Sequence, residues 1–359
     1  MPVKQVPEIS IIVPILNEAC ELYPLFETLT NQTGVRFELL LCDGGSSDGS
    51  LQLAEALASS SREAAVRSLR VPSGRGRQMN AGSTVARADL LLFLHADSRF
   101  VAQDALSSAI SAFRERQSGN GNVQAARFAL RFRRRQSRPS LAYSFYEAKA
   151  RLNRADCIRG DQGFMLTRSF FNHLGCFDES LPFLEDVRLA FAIEAEASWM
   201  LLPADISTSA RRFELEGLYE RQVINAIIAN AVACGWSELF SELPGLYRCS
   251  GGNGRLLLFP LLDGIRTLLS RYPLRWRLSF WHATGRHVAD NTWQLFFLLD
   301  VRHSFRKGAE KTEIPARWSK FFESSLQPLS RSLAMAVISA TFVWLWHRAL
   351  LIIHRHESP

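Results

Sequence analysis

The first hundred residues predict an α/β unit built on a doubly wound, mostly parallel sheet. Apolar strand segments alternate with helical segments four times over this stretch. Three of these four strands are followed by polar loops. In open sheets of this class, ligands bind beyond the carboxyl ends of the strands. The chain beyond about residue 250 has a different composition, rich in Trp and Arg, and predicts a C-terminal helical appendage.

Each element follows from a local pattern. Short β-branched or apolar runs predict the first four strands, at Ile9–Val13, Phe37–Cys42, Val66–Val71 and Leu90–Leu94. Helices are expected at 21–30, from 47 or 48 to 58, after the loop 72–82, and at Ala102–Gln117. Further along we expect a strand at Val123–Phe132, a helix at Leu141–Leu152, a helix at 183–193, short strands at Trp199–Leu202 and Ile206–Ser209, and a helix at Leu218–Val232.

Candidate ligand-binding residues follow three of the strands. They are Asn17 and Glu18, then Asp43 at the start of the polar run 43–50, then His95 and Asp97. Each group alone has a plain alternative, since Asp97 can cap the following helix and the run after Asp43 can be an ordinary turn. Together they line one edge of one sheet, where a carboxylate can hold a divalent cation or a ligand hydroxyl.

Two further stretches allow a functional and a structural interpretation. The Gly- and Arg-rich loop 72–82 enters a helix and can bind an anion, or it can be a solvated basic loop. It matches neither the Walker nor the dinucleotide-binding pattern. Glu185 and Asp186 begin a helix, where the dipole favours carboxylates and where a general base can also stand.

A basic cluster after Val123 includes Arg127, Arg131 and Arg133. We expect it to be solvated surface, with contact to an anionic acceptor or to lipid headgroups as the alternative.

Composition limits the classes of function. The 359 residues are 47% hydrophobic and carry a net charge of +7, which suits an anionic ligand, a membrane surface or nucleic acid. None of the six cysteines is in a CxxC pair, which is typical of reduced thiols in a cytosolic protein. The N-terminus has no apolar segment of the kind found in signal peptides.

Five motifs in order resemble family-2 glycosyltransferases of GT-A fold. They are Ile-Ile-Val-Pro-Ile-Leu-Asn-Glu (11–18), Cys-Asp-Gly-Gly-Ser-Ser-Asp-Gly-Ser (42–50), Gly-Arg-Gly-Arg-Gln-Met-Asn-Ala-Gly (74–82), Leu-His-Ala-Asp-Ser (94–98) and Leu-Glu-Asp-Val (184–187). The resemblance covers about 8–248. The loop 74–82, His-Ala-Asp, Gly-Asp-Gln-Gly (160–163) and Ser-Ala-Arg-Arg (209–212) are similar to a bacterial subgroup named for arsenosugar biosynthesis.

The resemblance implies a hexosyltransferase-like enzyme that uses a nucleotide-diphosphate sugar and a divalent metal, Mg²⁺ or Mn²⁺. It implies that Asp186 is the catalytic base, with Glu185 beside it, and that Asp97 contacts the metal. The implied nucleotide-sugar site consists of Pro14, Asn17, Glu18, Asp43, Arg77, Asn80, His95 and Asp97. The implied acceptor side consists of Gly160, Asp161 and Arg211.

Two departures from the family pattern shape the expected reaction. His95 replaces the first Asp of the metal motif, so one firm carboxylate remains for the metal. The QxxRW motif of processive synthases is absent after Asp186, which predicts transfer of a single sugar. Inversion is implied by the resemblance, because Asp186 matches the base of inverting members.

Two alternatives to this enzyme stay open. One is a nucleotide-binding module of the same fold without turnover, which the His95 replacement favours. The other is a nucleotidyltransferase, which would need a glycine-rich basic loop after the first strand, whereas 14–18 has neither glycine nor a basic residue.

The sequence divides into an expected glycosyltransferase domain at 1–248 and a helical region at 255–359. Six of the eight tryptophans lie in that region, interleaved with arginines, and Leu333–Trp346 is an uncharged run. A helix docked on the membrane surface, a spanning helix and a soluble helical region are all compatible with this pattern. We expect a cytoplasmic protein, peripheral on the inner membrane face, with a small or lipid-linked acceptor and no nucleic acid partner.

Overall fold

The computed structural model describes residues 6–60, 65–119, 122–136, 138–250, 254–308 and 314–357. The chain forms two compact units, the first comprising 1–133 and 146–209 and the second 134–145 and 210–359. These limits differ from the expected division at 248–255, because the helices at 210–248 group with those that follow. Most of the expected linker 250–254 lies outside the described residues. Two domains at 1–248 and 255–359 therefore stay a prediction.

The first unit is built on an eight-stranded sheet. Its strands are β1 (Ile9–Ile15), β2 (Phe37–Asp43), β3 (Ala65–Arg70), β4 (Leu90–Phe93), β5 (Arg99–Phe100), β6 (Val123–Arg133), β7 (Phe164–Thr167) and β8 (Ser198–Ser209). They lie in the order β3-β2-β1-β4-β7-β6-β8-β5. The four strands β3, β2, β1 and β4 are all parallel, and β7 then runs antiparallel to β4 and β6.

Helices cover both faces of this sheet. They are α1 (Ala19–Thr30), α2 (Ser50–Ser60), α3 (Arg75–Val85), α4 (Ala105–Ser118), α6 (Arg168–His173) and α7 (Glu185–Glu196), while α5 (Leu141–Lys149) carries the chain between the units. Buried Leu22, Leu57 and Phe113 join the apolar cluster on one face. Buried Met79 and Phe171 join the cluster on the other. The predicted α/β, doubly wound class is thereby confirmed.

Strand β8 replaces the two short strands that the sequence suggested. It pairs in parallel with β6 along both halves, with an irregularity between the pairs Arg127–Leu201 and Ala129–Asp205. Pro203 lies in this irregularity, and a proline cannot donate a hydrogen bond to the ladder. The strand therefore continues through a bulge instead of ending.

The expectation of a solvated basic cluster is wrong for Arg127. Its side chain is fully buried, because β6 lies between β7 and β8 in the sheet interior. Its Nη2 atom donates to the carbonyl oxygen of Leu152 at 2.5 Å. Burial lowers the pKa of Arg127 to about 10. Arg133, on the same strand, donates to the carbonyl oxygen of Ser207 at 2.8 Å.

The second unit is helical, as the composition predicted. Its helices are α8 (Arg211–Glu216), α9 (Leu218–Ala233), α10 (Glu238–Leu246), α11 (Leu258–Ser270), α12 (Leu274–Asp290), α13 (Trp293–Arg306), α14 (Arg317–Phe321), α15 (Gln327–Ser330) and α16 (Leu333–Ile353). A Cβ atom on Gly285 of α12 would lie 1.9 Å from the carbonyl oxygen of Ala336. Only glycine therefore allows α12 and α16 to pack this closely.

Candidate active site

A small cleft opens in the first unit where two helix N-termini, the end of β4 and the turn at 160–162 meet. Its lining residues are Arg75, Met79, Phe93, His95, Gly160, Phe164, Phe177, Glu185 and Asp186. The structure therefore brings together four of the residues singled out from sequence, which lie as far apart as 95 and 186 in the chain. It adds Arg75, which the sequence argument had not selected.

Asp186 is fixed by the backbone of the turn beside it. Its Oδ2 atom accepts a hydrogen bond from the Gly160 amide at 2.7 Å. A Cβ atom on Gly160 would lie 3.1 Å from Nε2 of His95 and 3.3 Å from Oδ2 of Asp186. These separations are tighter than ordinary van der Waals contacts, so glycine is needed for His95 and Asp186 to stand this close to the turn.

The start of α7 turns both of its acidic side chains inward. Leu184 precedes the helix with a φ of 70°, in the left-handed region that non-glycine residues rarely adopt. Glu185 and Asp186 then follow with 1% and 9% of their surface exposed. Strained backbone of this kind persists where the surroundings hold it, and it often accompanies functional sites.

Glu185 faces the guanidinium of Arg75 across the cleft. Its Oε1 atom lies 3.4 Å from Nη1 of Arg75, in the first turn of α3. Burial raises the pKa of Glu185 above its ordinary value, and the neighbouring Asp186 adds to this, although Arg75 opposes it.

Asp161 holds a proton close to neutral pH. Burial, together with the charges of Asp186 and Asp97, raises its pKa to about 7, although Arg159 and Arg75 oppose the rise. Its Oδ1 atom is enclosed and makes no hydrogen bond within the described part of the chain.

Asp97 does not cap a helix. Its Oδ2 atom accepts hydrogen bonds from Oγ1 of Thr208 at 3.0 Å and from the Ser209 amide at 3.1 Å. The following helix α4 begins eight residues later and has Asp104 at its N-cap. The capping alternative is thus excluded. Within the described ranges, no group of three or more His, Cys, Asp or Glu side chains is arranged to hold a metal ion.

The polar loops after β1 and β2 are joined by hydrogen bonds. Asn17, whose φ is 58°, accepts a hydrogen bond at Oδ1 from the Ser47 amide at 2.8 Å. The Glu18 amide donates to Oγ of Ser50 at 2.8 Å. Asp43 is buried and accepts from the Gly45 amide at 2.9 Å. Pro14 is paired with Cys42 on the neighbouring strand β2.

Arg77 and Asn80 face the segment 177–179. Nε of Arg77 lies 3.3 Å from Oε2 of Glu179. The Asn80 amide group donates to the carbonyl oxygen of Phe177 at 2.9 Å and accepts from the Phe177 amide at 3.0 Å. Arg211, the remaining residue selected from the sequence, begins α8 in the second unit.

Sequence reasoning missed Arg75 and Gln78. Nε2 of Gln78 donates to the carbonyl oxygens of Ile15 at 2.9 Å and Cys42 at 2.7 Å, so it joins the ends of β1 and β2. Arg75 and Arg77 are two positions apart on one helix, so they face different directions. The resemblance selected Arg77, whereas which of the two arginines faces the cleft depends on how α3 is rotated.

Residues 10–175 match the model of Glycosyl transferase family 2. This part of the chain is a family-2 glycosyltransferase domain. The predicted family is confirmed, while the narrower arsenosugar subgroup stays a prediction.

Relatives of the glycosyltransferase domain match only in part. Over 107 residues the chain is 36% identical to the PGL/p-HBAD biosynthesis glycosyltransferase of Mycobacterium bovis, a match that covers 30% of this chain and 41% of that protein. Over 105 residues it is 30% identical to an uncharacterized glycosyltransferase of Haemophilus influenzae, covering 29% of this chain and 42% of that one. The chain thus spans about two fifths of the length of these curated relatives.

A solved structure similar to this chain is the mannosyltransferase PcManGT from Pyrobaculum calidifontis in complex with GDP-Man and Mn²⁺. It is 14% identical, covers 96% of this chain and 88% of its own, and has a TM-score of 0.49.

Proposed function

We propose that the protein transfers one sugar from a nucleotide-diphosphate sugar to an acceptor hydroxyl, with inversion and without processive elongation. The observation that carries this proposal is the Asp186 carboxylate, held by the Gly160 amide at 2.7 Å within a cleft that also contains Arg75 and His95. A buried, fixed carboxylate facing a cleft suits a general base.

The bond changes follow from this placement. The acceptor oxygen attacks the anomeric carbon while the bond from that carbon to the diphosphate breaks, and its electron pair leaves with the diphosphate. The acceptor hydroxyl gives its proton to Asp186. Because Oδ2 is occupied by the Gly160 amide, the other carboxylate oxygen takes the proton. A single displacement of this kind inverts the anomeric centre.

Arg75 stabilises the leaving diphosphate in this proposal. It stands in the first turn of α3, where the N-cap residue Gly74 provides no side-chain hydrogen bond. The helix N-terminus and the guanidinium both favour an anion. Donor binding would therefore compete with Glu185 for Arg75.

A divalent metal, Mg²⁺ or Mn²⁺, fits the residues present if the donor supplies most of its ligands. Asp97 uses Oδ2 for Thr208 and Ser209, and these bonds orient its carboxylate. Such cations are commonly bound by one or two carboxylates together with substrate phosphates and water. Asp97 would be the residue of this chain that holds the cation. The bound cation would neutralise charge on the diphosphate.

The remaining residues complete the proposed assignment. The nucleotide side comprises Pro14, Asn17, Glu18, Asp43, Arg77 and Asn80, and the acceptor side comprises Gly160, Asp161 and Arg211. The bonded loops of β1 and β2 support the nucleotide side, because they fix its polar groups at the carboxyl edge of the sheet. The donor is hexosyl, and the acceptor is a small or lipid-linked molecule. We place the enzyme in the cytoplasm, peripheral on the inner membrane face.

Asp186→Asn tests the reaction. The change keeps the shape of the side chain and removes the base, so transfer should fall by about 10²-fold or more. Nucleoside diphosphates should still raise the melting temperature of the variant, since a ligand that binds the folded state stabilises it. Asp104→Asn, on an exposed aspartate of the first unit, is the matched control.

Two outcomes would contradict the proposal. Full transfer by Asp186→Asn would remove the base assignment. Folded wild-type protein that no nucleoside diphosphate stabilises, with or without Mn²⁺, would exclude nucleotide-sugar transfer. Nucleotide binding without any transfer by the wild type would favour the binding-module alternative.

A further inference from the structure

We propose that α16 of the second unit lies flat in the surface of an anionic lipid bilayer, with its apolar face immersed and its axis parallel to the membrane. This deepens the membrane placement proposed above and rests on it, but not on the transfer reaction. Vesicle binding needs no substrate, so the docking of α16 can be disproved while the transfer reaction holds, and the transfer reaction can be disproved while the docking holds.

One face of α16 is apolar and exposed. Its largest side chains on that face are Leu333, Val337, Ile338, Phe342, Leu345 and Ile352, each more than half exposed. Most of their spacings are three, four or seven residues, which places them along one side of a helix. Patches of this kind on soluble proteins mark interaction sites, because water solvates them unfavourably.

Apolar exposure is concentrated in the second unit. Within the described ranges, 18 of the 23 exposed large apolar side chains lie after residue 209. They include Leu274 and Leu278 on α12 and Leu295 on α13, each more than 60% exposed. The first unit, which contains the cleft, has the other five.

The stretch 255–359, which includes α16, carries the net positive charge of the protein. Residues 255–359 contain 15 Lys and Arg against 7 Asp and Glu, a formal charge of +8, whereas the whole chain carries +7. An anionic lipid surface complements this charge. A second copy of the chain would place two such segments against each other, and like charges repel at short range. Charge therefore selects lipid over self-association.

The contacts of α16 favour an in-plane position over a spanning one. The helix has 21 residues and a mean hydropathy of 1.7, enough to cross a membrane by length and composition. Ala336 packs on Gly285 of α12, and Nε2 of His347 lies 3.1 Å from the carbonyl oxygen of Leu262 in α11. Beyond its end, Glu357 accepts a hydrogen bond from the Leu258 amide at 2.8 Å.

These contacts attach α16 to its neighbours along its whole length. A spanning α16 would draw α11 and α12 into the hydrocarbon core, together with Arg275, Arg277 and Arg286 of α12. Charged side chains there are costly. An in-plane helix immerses its apolar face and leaves these arginines at the headgroups.

An Arg–Trp pair marks the level of the headgroups. The guanidinium of Arg348 lies 5.3 Å from the centre of the Trp344 ring, and both residues are exposed on α16. Trp is enriched at membrane interfaces, and Arg extends its charged end toward the headgroups from an apolar surface.

The test is co-sedimentation of the full chain with vesicles of phosphatidylcholine alone and of phosphatidylcholine mixed with phosphatidylglycerol. We expect binding to the mixed vesicles, weakened by salt because the charges are then screened. The double variant Ile338→Asp/Phe342→Asp should bind at least about tenfold more weakly, since two apolar side chains no longer enter the bilayer. Tyr23→Asp/Val101→Asp, on two exposed apolar residues of the first unit, is the matched control and should bind like the wild type.

A second measurement decides the matter if the double variant does not fold. Brominated lipid should quench Trp fluorescence of the wild type, and Trp344→Phe should reduce that quenching. Alkaline carbonate should release the protein from vesicles, as expected for a peripheral protein. The proposal is overturned by a lack of binding to the mixed vesicles, by equal binding of both double variants, by retention after carbonate, or by a dimer that only the α16 variant breaks.

Discussion

Nη1 of Arg75 lies 3.4 Å from Oε1 of Glu185, so a charge pair joins the first turn of α3 to the first turn of α7. The backbone supports this approach, since a Cβ atom on Gly76 would lie 3.3 Å from the carbonyl oxygen of Asp178. The Gly-Arg loop and the acidic pair are thereby coupled. A ligand that draws Arg75 away leaves Glu185 buried without its cation.

Arg75→Met should therefore weaken donor binding and turnover together. Losing one charge-assisted contact to a diphosphate costs about 1.5–3 kcal/mol, which corresponds to roughly 10- to 100-fold in donor affinity. Titration of a nucleoside diphosphate followed by melting temperature measures this change. Arg70→Met, which removes an arginine that pairs with Glu55 on the surface, is the control. Unchanged affinity in Arg75→Met would separate Arg75 from the donor.

Gly160→Ala should slow transfer while the protein stays folded. The new methyl group would stand 3.1 Å from Nε2 of His95 and 3.3 Å from Oδ2 of Asp186, so both must move by a few tenths of an ångström. Small displacements of reacting groups reduce rates strongly, and we expect about a tenfold loss of kcat or more. Gly119→Ala is the control, because its methyl group would meet only ordinary contacts. Equal kcat in both variants would contradict the role of this turn.

Asp161→Asn should change how stability depends on pH. The pKa of Asp161 in the folded protein, about 7, lies above its ordinary value of about 3.9. Between these values the folded state binds more protons than the unfolded state, so the free energy of unfolding falls as pH rises. The variant has no such proton. Its melting temperature should fall less than that of the wild type between about pH 5 and pH 8, and parallel curves would contradict the raised pKa.

Asn80→Ala should destabilise the first unit. The change removes the hydrogen bonds of Asn80 to both backbone groups of Phe177, at 2.9 and 3.0 Å. Buried partners left unsatisfied cost about 1–3 kcal/mol, measured by denaturant unfolding. Thr84→Ala, at an exposed position one turn further along α3, controls for the loss of a polar side chain. A normal unfolding curve would contradict this structural role, and weaker donor binding alone would leave Asn80 only its proposed place on the nucleotide side.

Much of the first unit could be predicted from local patterns. The runs at β1, β2 and β4 are short and apolar, and each is stopped by polar or turn-forming residues, so their positions followed from the sequence. Strand β8 was harder, because it continues past Pro203 through a bulge at the position of the missing backbone donor. Arg127 was misjudged for a related reason: its charge suggested the surface, whereas its strand lies inside the sheet.

The sequence by itself determined the order of the motifs, the class of the sheet and the acidic and glycine-rich segments that form the cleft, because strand and helix periodicity and turn chemistry are local properties. Tertiary structure decided which side chains meet. It placed Arg75 rather than Arg77 opposite Glu185, put the Gly160 amide on Asp186 and left one face of α16 uncovered. Those outcomes depend on helix rotation and on contacts between residues far apart in the chain, which no local pattern contains.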